Sequence, residues 1–378
     1  MKKILRKVPR NRIALATYIV VFAVFGILFL FLTPAASPSA SFESESGTLV
    51  APATIATDSS ASGGSLVKFG NANISPPTST EWQLEWSDEF NGSAVDETKW
   101  NIQTGTLDYD QGCYRGAKDA SNNPTGNLEV TGGNLIIRTK YEPGKCADAY
   151  VKYPSPSGKT AARPYTTAYI RSDAVGSKPD RFVISPTVSP KGIIKFEFNA
   201  QMPTMVRGLW PALWSRNEFS DTSSTATNPY GEIDIIELWG DEPNNFTFRT
   251  TTHNTNKQTG GDTGYVSKPS TCPIASTNTA LKINCSDLST AMRKYGVEID
   301  SVKGEVRYYL DDRLVALNSA TSSPGFNATQ WLNAIKNKWD LRVMTQIVDI
   351  DYPYHPEPDS TFKTSELKVD YVRVYSKL

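Results

Sequence analysis

The segment Gly231-Glu232-Ile233-Asp234-Ile235-Ile236-Glu237-Leu238-Trp239 constrains this 378-residue chain more than any other. Its β-branched Ile233, Ile235 and Ile236 favour a strand. Side chains on a strand alternate between faces, so Glu232 and Asp234 share one face. Glu237 lies an odd number of residues from Glu232, and a regular strand would turn it to the other face. One extra residue at Ile235-Ile236, a β-bulge, would return it to the shared face. An acidic strand face can serve solubility alone. Such a face usually mixes signs, because like charges at adjacent same-face positions repel. No Lys or Arg lies between Tyr230 and Glu242.

With the bulge, Glu232 and Glu237 stand about 13 Å apart at the backbone, taking ~3.3 Å for each of four effective steps. Two glutamate side chains leaning together would close the gap to about 5 Å, the separation of nucleophile and acid/base in a retaining glycosidase.

The rest of the chain reads as all-β. Short runs such as Leu135-Ile136-Ile137-Arg138 and Val306-Arg307-Tyr308-Tyr309-Leu310 are separated by turn residues such as Gly132-Gly133 and Asp311-Asp312. One long helix is expected at Asn327–Asn337, where Trp331, Leu332 and Ile335 fall at helical spacing. No dinucleotide fingerprint, P-loop or H-E-x-x-H is present, and two histidines, His253 and His355, exclude a His-rich metal site.

Lys2, Lys3, Arg6, Lys7, Arg10 and Arg12 precede an uncharged run from Ile13 to Thr33. At ~1.5 Å per residue that run spans about 30 Å, enough to cross a bilayer as a helix. Residues 1–33 are expected to be a basic cytoplasmic segment with a single-pass membrane anchor, and the remainder to lie outside. The alternative is a cleaved signal followed by secretion, with small residues at Ala35–Ala40. Residues 34–80 are rich in Ser, Ala, Thr, Pro and Gly and read as a spacer. Within it, Phe42–Leu49 and Ala61–Gly70 resemble the first strands of family 6-type carbohydrate-binding modules, without the rest of such a module. Residues 81–378 form the expected main domain. Six of the 39 cations and none of the 39 acids lie in residues 1–40, leaving the remainder net acidic by six. No basic patch suggests nucleic-acid binding. Four cysteines in an exported chain point to disulfides, here Cys113–Cys146 and Cys272–Cys285, each closing one local excursion.

From about Trp82 to Leu378 the chain resembles glycoside hydrolase family 16, in its laminarinase-like branch. Glu232-Ile233-Asp234-Ile235-Ile236-Glu237 matches the bulged form of that family's signature. Gly208-Leu209-Trp210-Pro211-Ala212-Leu213-Trp214 is similar to the strand before it, and Gly192–Phe198 to the strand leading there. Glu85–Gly92 followed by Trp100 matches the family's opening, and Leu367–Tyr375 its closing strand. The resemblance implies a β-jelly roll of two curved antiparallel sheets, acting as a monomer on a β-linked polysaccharide. The implied reaction is endo-acting, retaining hydrolysis of β-1,3- or β-1,3-1,4-glucan. It needs no cofactor, and a structural calcium ion is left open.

By the same resemblance Glu232 is the nucleophile, Glu237 the general acid/base, and Asp234 the group that orients Glu232. Negative neighbours favour the protonated form that Glu237 needs in the first step. Trp210, Trp214 and Trp239 are expected sugar platforms, with core packing allowed for one of them. His253 and Asn127 match family positions that line the cleft. Three departures bear on substrate. Residues 104–126 lack the Asn-x-Glu-x-Gln-Tyr segment of many β-1,3-glucanases. Tyr169 stands where the family has arginine, with Arg171 two residues on. Val348–Pro353 replaces a Gly-Gly-x-Trp. A transglycosylase or a β-galactan hydrolase on the same fold are the alternatives, as is a glycan-binding jelly roll without catalysis.

Overall fold

The computed structural model describes residues 53–57, 65–69, 81–107, 110–151, 160–219, 224–225, 227–242, 245–254, 263–267, 288–319, 328–348 and 361–378. The chain divides into two compact units, Met1–Ile74 and Ser75–Leu378. In the first, strands Ala53–Thr57 and Ser65–Phe69 form an antiparallel hairpin, with Ala53 opposite Phe69. Of the two segments that resemble a carbohydrate-binding module, Phe42–Leu49 lies outside the described residues and Ala61–Gly70 contains the second strand. No helix among the described residues is long and apolar enough to cross a membrane, and Ile13–Thr33 lies outside them.

The second unit is mostly strand, arranged in two large sheets as a jelly roll requires. A seven-stranded sheet runs in the order Thr263–Ser267, Asn245–Asn254, Gly231–Glu242, Leu209–Arg216, Arg342–Ile347, Tyr169–Arg171, Asn101–Gln103. A ten-stranded sheet has Ile193–Gln201 and Thr364–Lys377 at its centre. Described pairings are antiparallel save one, the parallel contact of Tyr165–Thr167 with Gly112–Tyr114. Ile233, Ile236, Leu213 and Val343 from the first sheet join Phe196, Phe198 and Val297 from the second in one buried cluster. That cluster is the sandwich core, and its apolar burial drives the two sheets together.

The two sheets treat their outer faces differently. Glu305–Leu310 alternates half-buried and buried residues, as a strand with one solvated face does. Arg342–Ile347 is buried at every position. Its outer face is covered by a second, smaller cluster of Tyr114, Tyr169, Ala212 and Met344, against which Leu107 and Trp214 pack. The middle of the seven-stranded sheet is therefore a floor with structure built on it.

The opening and closing motifs hold the sandwich shut. Trp82–Asp88 pairs with Thr364–Lys377 at the chain's end. Asp88 accepts from the indole of fully buried Trp100 at 2.7 Å and from the Phe90 amide at 3.0 Å. Arg373 grips Glu89 through two bonds, of 3.0 and 2.8 Å. Such a paired fork is stronger and more directional than a single contact. These matched segments serve closure rather than chemistry.

The expected helix is shorter than its spacing suggested, covering Ala328–Ala334. Trp331 and Ile335 are buried as expected. Beyond Ala334 the chain turns toward the next strand, and the Trp339 indole takes the Ile335 carbonyl at 3.1 Å. A side chain thus satisfies a carbonyl that a longer helix would have used.

Cys113 and Cys146 are bonded, with Cα atoms 5.7 Å apart. Cys272 and Cys285 lie outside the described residues. The bond closes a loop of 33 residues at the edge of the ten-stranded sheet. Replacing both cysteines by alanine is expected to lower unfolding free energy by about 2–4 kcal/mol, through the freedom restored to the unfolded chain. Urea denaturation measures this, and an unchanged midpoint would show that the loop is held by its other contacts.

Candidate active site

The site is built on the strand Gly231–Glu242, which pairs with Leu209–Arg216 on one side and Asn245–Asn254 on the other. Glycines sit where its ends press on neighbours. A Cβ on Gly231 would lie 2.9 Å from the Trp339 ring, and one on Gly240 would collide with the Val206 carbonyl. Between them runs the register that decides the chemistry. Arg216 faces Glu232, Trp214 faces Asp234, Leu213 faces Ile236 and Ala212 faces Glu237. Ile235 has no counterpart in that pairing. On the other side Asp234 pairs with Thr251 and Glu237 with Arg249, so two isoleucines oppose one residue. This is the bulge expected at Ile235-Ile236. Ile233, Ile235, Ile236 and Leu238 all lie in the core. The odd spacing is absorbed, and Glu237 returns to the face of Glu232 and Asp234.

The carboxylates are shielded unequally. Asp234 and Glu237 are buried, while Glu232 is half-buried. Each glutamate takes a bond from an aromatic residue of its own neighbourhood. The Tyr230 hydroxyl donates to Glu232 Oε2, and the Trp210 indole donates to Glu237 Oε1 at 2.6 Å. Tyr230 stands two residues before Glu232, just ahead of the strand, a spacing from which this contact could have been anticipated. The Trp210 contact crosses from the adjacent strand.

The expected sugar residues fall into three groups. Trp214 is half-buried and packs on Tyr169, with ring centroids 6.2 Å apart. Trp210 is buried, and its N–H is committed to Glu237. Asn127 is fully buried, with its amide donating to the Arg138 carbonyl and to Thr166 Oγ1, both at 2.9 Å. Those bonds tie it to other strands rather than to the carboxylate strand. His253 pairs with Glu232 and Trp239 with Thr247, but the side chains of Trp239 and His253 lie outside those described.

Beneath Trp214 lies a charged group with no counterpart among the expected site residues. Arg342 is almost fully buried, and its guanidinium sits 4.5 Å from the Trp214 ring centroid. It bonds both oxygens of Asp340, at 2.7–3.0 Å, Asp173 at 2.7 Å and the Tyr169 hydroxyl at 2.8 Å. Burial pushes the Asp340 carboxyl up, and the Arg342 charge opposes that push. Arg171 in turn pairs with Asp173. Tyr169, the departure from the family pattern, thus accepts a bond from an arginine on the adjacent strand. The alternation Asp340-Leu341-Arg342-Val343 was the signal, since charge on every second residue of an apolar strand requires a partner.

Asp110 supports the floor from its edge. Its carboxylate accepts from the Gly112 amide and the Tyr114 hydroxyl, both at 2.8 Å, and Tyr114 packs on Tyr169. Burial raises its pKa from 3.8 to about 7, against the hydrogen bonds that lower it. Ionising Asp110 therefore costs the folded state more than the unfolded one. Its contribution is fully favourable below the ordinary value and is lost as pH rises through about 7. Asp110→Asn is expected to flatten that fall between about pH 4 and about pH 7, seen as a narrowing gap in melting temperature. Parallel profiles for the two proteins would mean that Asp110 ionises without cost. Trp210→Phe keeps the ring and removes the N–H. It is expected to lower kcat roughly tenfold or more with KM little changed, since a bond to a charged group is worth ~1.5–3 kcal/mol. Unchanged kcat would show that Glu237 is held by other contacts.

No family model matches the chain. A β-glucanase of Rhodothermus marinus is 27% identical over 303 residues, which cover 78% of this chain and 85% of that protein. The glucan endo-1,3-β-glucosidase A1 of Niallia circulans is 29% identical over 172 residues, 44% of this chain. That match spans only 21% of the Niallia protein's length. Among solved structures, the laminarinase catalytic domain of Thermotoga maritima superposes with a TM-score of 0.54 at 21% identity, over 79% of this chain and 99% of that one. The chain is thus similar in sequence to two β-glucanases and shares the two-sheet fold of the laminarinase catalytic domain.

Proposed function

We propose that the chain is an endo-acting, retaining glycoside hydrolase that cleaves β-1,3-glucan, working outside the cell. The observation that carries this reading is the bulge at Ile235-Ile236, which sets Glu232, Asp234 and Glu237 on one face of one strand. The relatives' names, a β-glucanase and an endo-1,3-β-glucosidase, support the substrate class.

The reaction runs in two displacements. Glu237, protonated, gives its proton to the glycosidic oxygen as the bond from that oxygen to the anomeric carbon breaks. Glu232, ionised, forms a bond to the same carbon. Glu237, now ionised, takes a proton from water, whose oxygen attacks the anomeric carbon and releases Glu232. Asp234 lies between the two along the face and orients Glu232. Tyr230 holds Glu232 and Trp210 holds Glu237. The run Ile13–Thr33 would fix the enzyme to the membrane with the cleft outside, and carbonate extraction of membranes tests that part alone.

Glu232→Gln and Glu237→Gln are each expected to cut laminarin hydrolysis by about three orders of magnitude or more with the fold intact, and Asp234→Asn by less. NMR of the first product should show the β-anomer before mutarotation. An α-anomer first would mean inversion, and near-normal turnover by Glu232→Gln would remove the nucleophile from the scheme. A linkage-defined panel with mixed-linkage glucan and β-galactan fixes the substrate within the class. Longer products from an added sugar acceptor would mark a transglycosylase.

A further inference from the structure

Two N–H donors on the floor of the site have no acceptor among the described residues. Trp214 Nε1 and Arg216 Nε are buried atoms without a hydrogen-bond partner. They stand two residues apart on the same face of Leu209–Arg216, directly across from Asp234 and Glu232. Arg216 is the cross-strand neighbour of Glu232, yet its guanidinium makes no ion pair among the described residues. Glu232 bonds Tyr230 instead. The Trp214 ring and the Arg216 backbone are both held in place. Trp214 is fixed by Tyr169 and by the guanidinium of Arg342. The Arg216 backbone is tied to Asp340, whose carboxylate accepts its amide at 2.8 Å and whose amide donates to its carbonyl at 3.0 Å.

A half-buried arginine with a buried, unmatched N–H is costly unless something fills it. Water does not reach that nitrogen. A guanidinium and an indole N–H offer donors only, so the complementary group is acceptor-rich. The positive charge favours an anion, and the planar fork of arginine suits the oxygens of a carboxylate or a sulfate. We infer that Arg216 and Trp214 form an oxyanion-recognition site beside the nucleophile, and that the preferred glucan carries a carboxylate or a sulfate ester on a sugar next to the cleaved linkage. This rests on the glucanase reading above and narrows its substrate. The arrangement also explains why Arg216 does not pair with Glu232, since a guanidinium clamped on the nucleophile would blunt its attack.

The test uses the full chain with three polymers: laminarin, laminarin oxidised at its primary hydroxyls to carboxylates, and sulfated laminarin. Retardation in native gels containing each polymer reads binding, and reducing-end release reads cleavage. One charged polymer should be bound more tightly than laminarin at low salt, with the advantage lost at high salt. Which one identifies the anion. Arg216→Met is expected to raise KM for that polymer roughly tenfold more than KM for laminarin, the effect of one charge-assisted bond. Arg216→Lys should restore part of the preference, and its recovery shows that the site still folds. Equal effects of Arg216→Met on charged and neutral polymers would overturn the inference, as would wild-type binding that ignores charge and salt. Laminarin cleavage without any charge preference would leave the glucanase reading intact and remove this one. Charge-selective binding that depends on Arg216, with no glucan cleaved, would do the reverse.

Discussion

Everything at the site depends on one extra residue in one strand. Without the bulge, Glu237 would point into the sandwich and Ile236 into the cleft. Both errors are expensive. A buried, unpaired carboxylate costs several kcal/mol, and an exposed isoleucine forfeits about 1.5–3 kcal/mol of burial. The bulge costs a broken ladder position at Ile235, and burial of both isoleucines offsets that loss. Apolar packing on the inner face therefore enforces acid placement on the outer one. The spacing of the three carboxylates is a by-product of core formation.

The floor beside the bulge is organised by buried charge rather than by apolar packing. Arg342 is surrounded by Asp340, Asp173 and Tyr169, and it lies against Trp214. Replacing such a group with hydrocarbon can stabilise a protein, so stability alone does not account for it. What it supplies here is position. The aromatic ring above it and the backbone of Arg216 beside it are each tied to the same network. Loss of Arg342 would leave the buried Asp340 carboxylate without its cation, Asp173 keeping Arg171, and the floor would have to rearrange.

Local patterns were legible in the sequence, and long-range partnerships were not. The strand, its bulge and the shared face of three acids follow from the residues between Gly231 and Trp239. The two-sheet fold follows from short alternating runs, and Cys113–Cys146 from their common excursion. Arg342 and Asp173 lie 169 residues apart, so no window of sequence joins them. The contact between Trp210 and Glu237 was not legible, because strand register sets it. Asn127 shows the opposite limit. A motif does not say which way a side chain turns, and here it is buried. The helix after Ala328 fell short because Trp339 takes over a carbonyl that periodicity alone would have assigned to the helix.

The choice of donor at each glutamate fits the proposed division of roles. An indole N–H donates and cannot accept a proton near neutral pH. Bound to Oε1 of Glu237, it leaves the proton of the proposed acid to the other oxygen. When the proton has gone, the same contact becomes a bond to a charged acceptor and strengthens. Trp210 therefore supports both states of the acid/base without titrating itself. Glu232 needs less. The proposed nucleophile has only to be held, and a phenol hydroxyl that donates from two residues upstream does that. A cation in that position would hold the charge too well. The register places Arg216 nearby, and among the described residues it forms no ion pair, so the proposed nucleophile is not clamped by a cation.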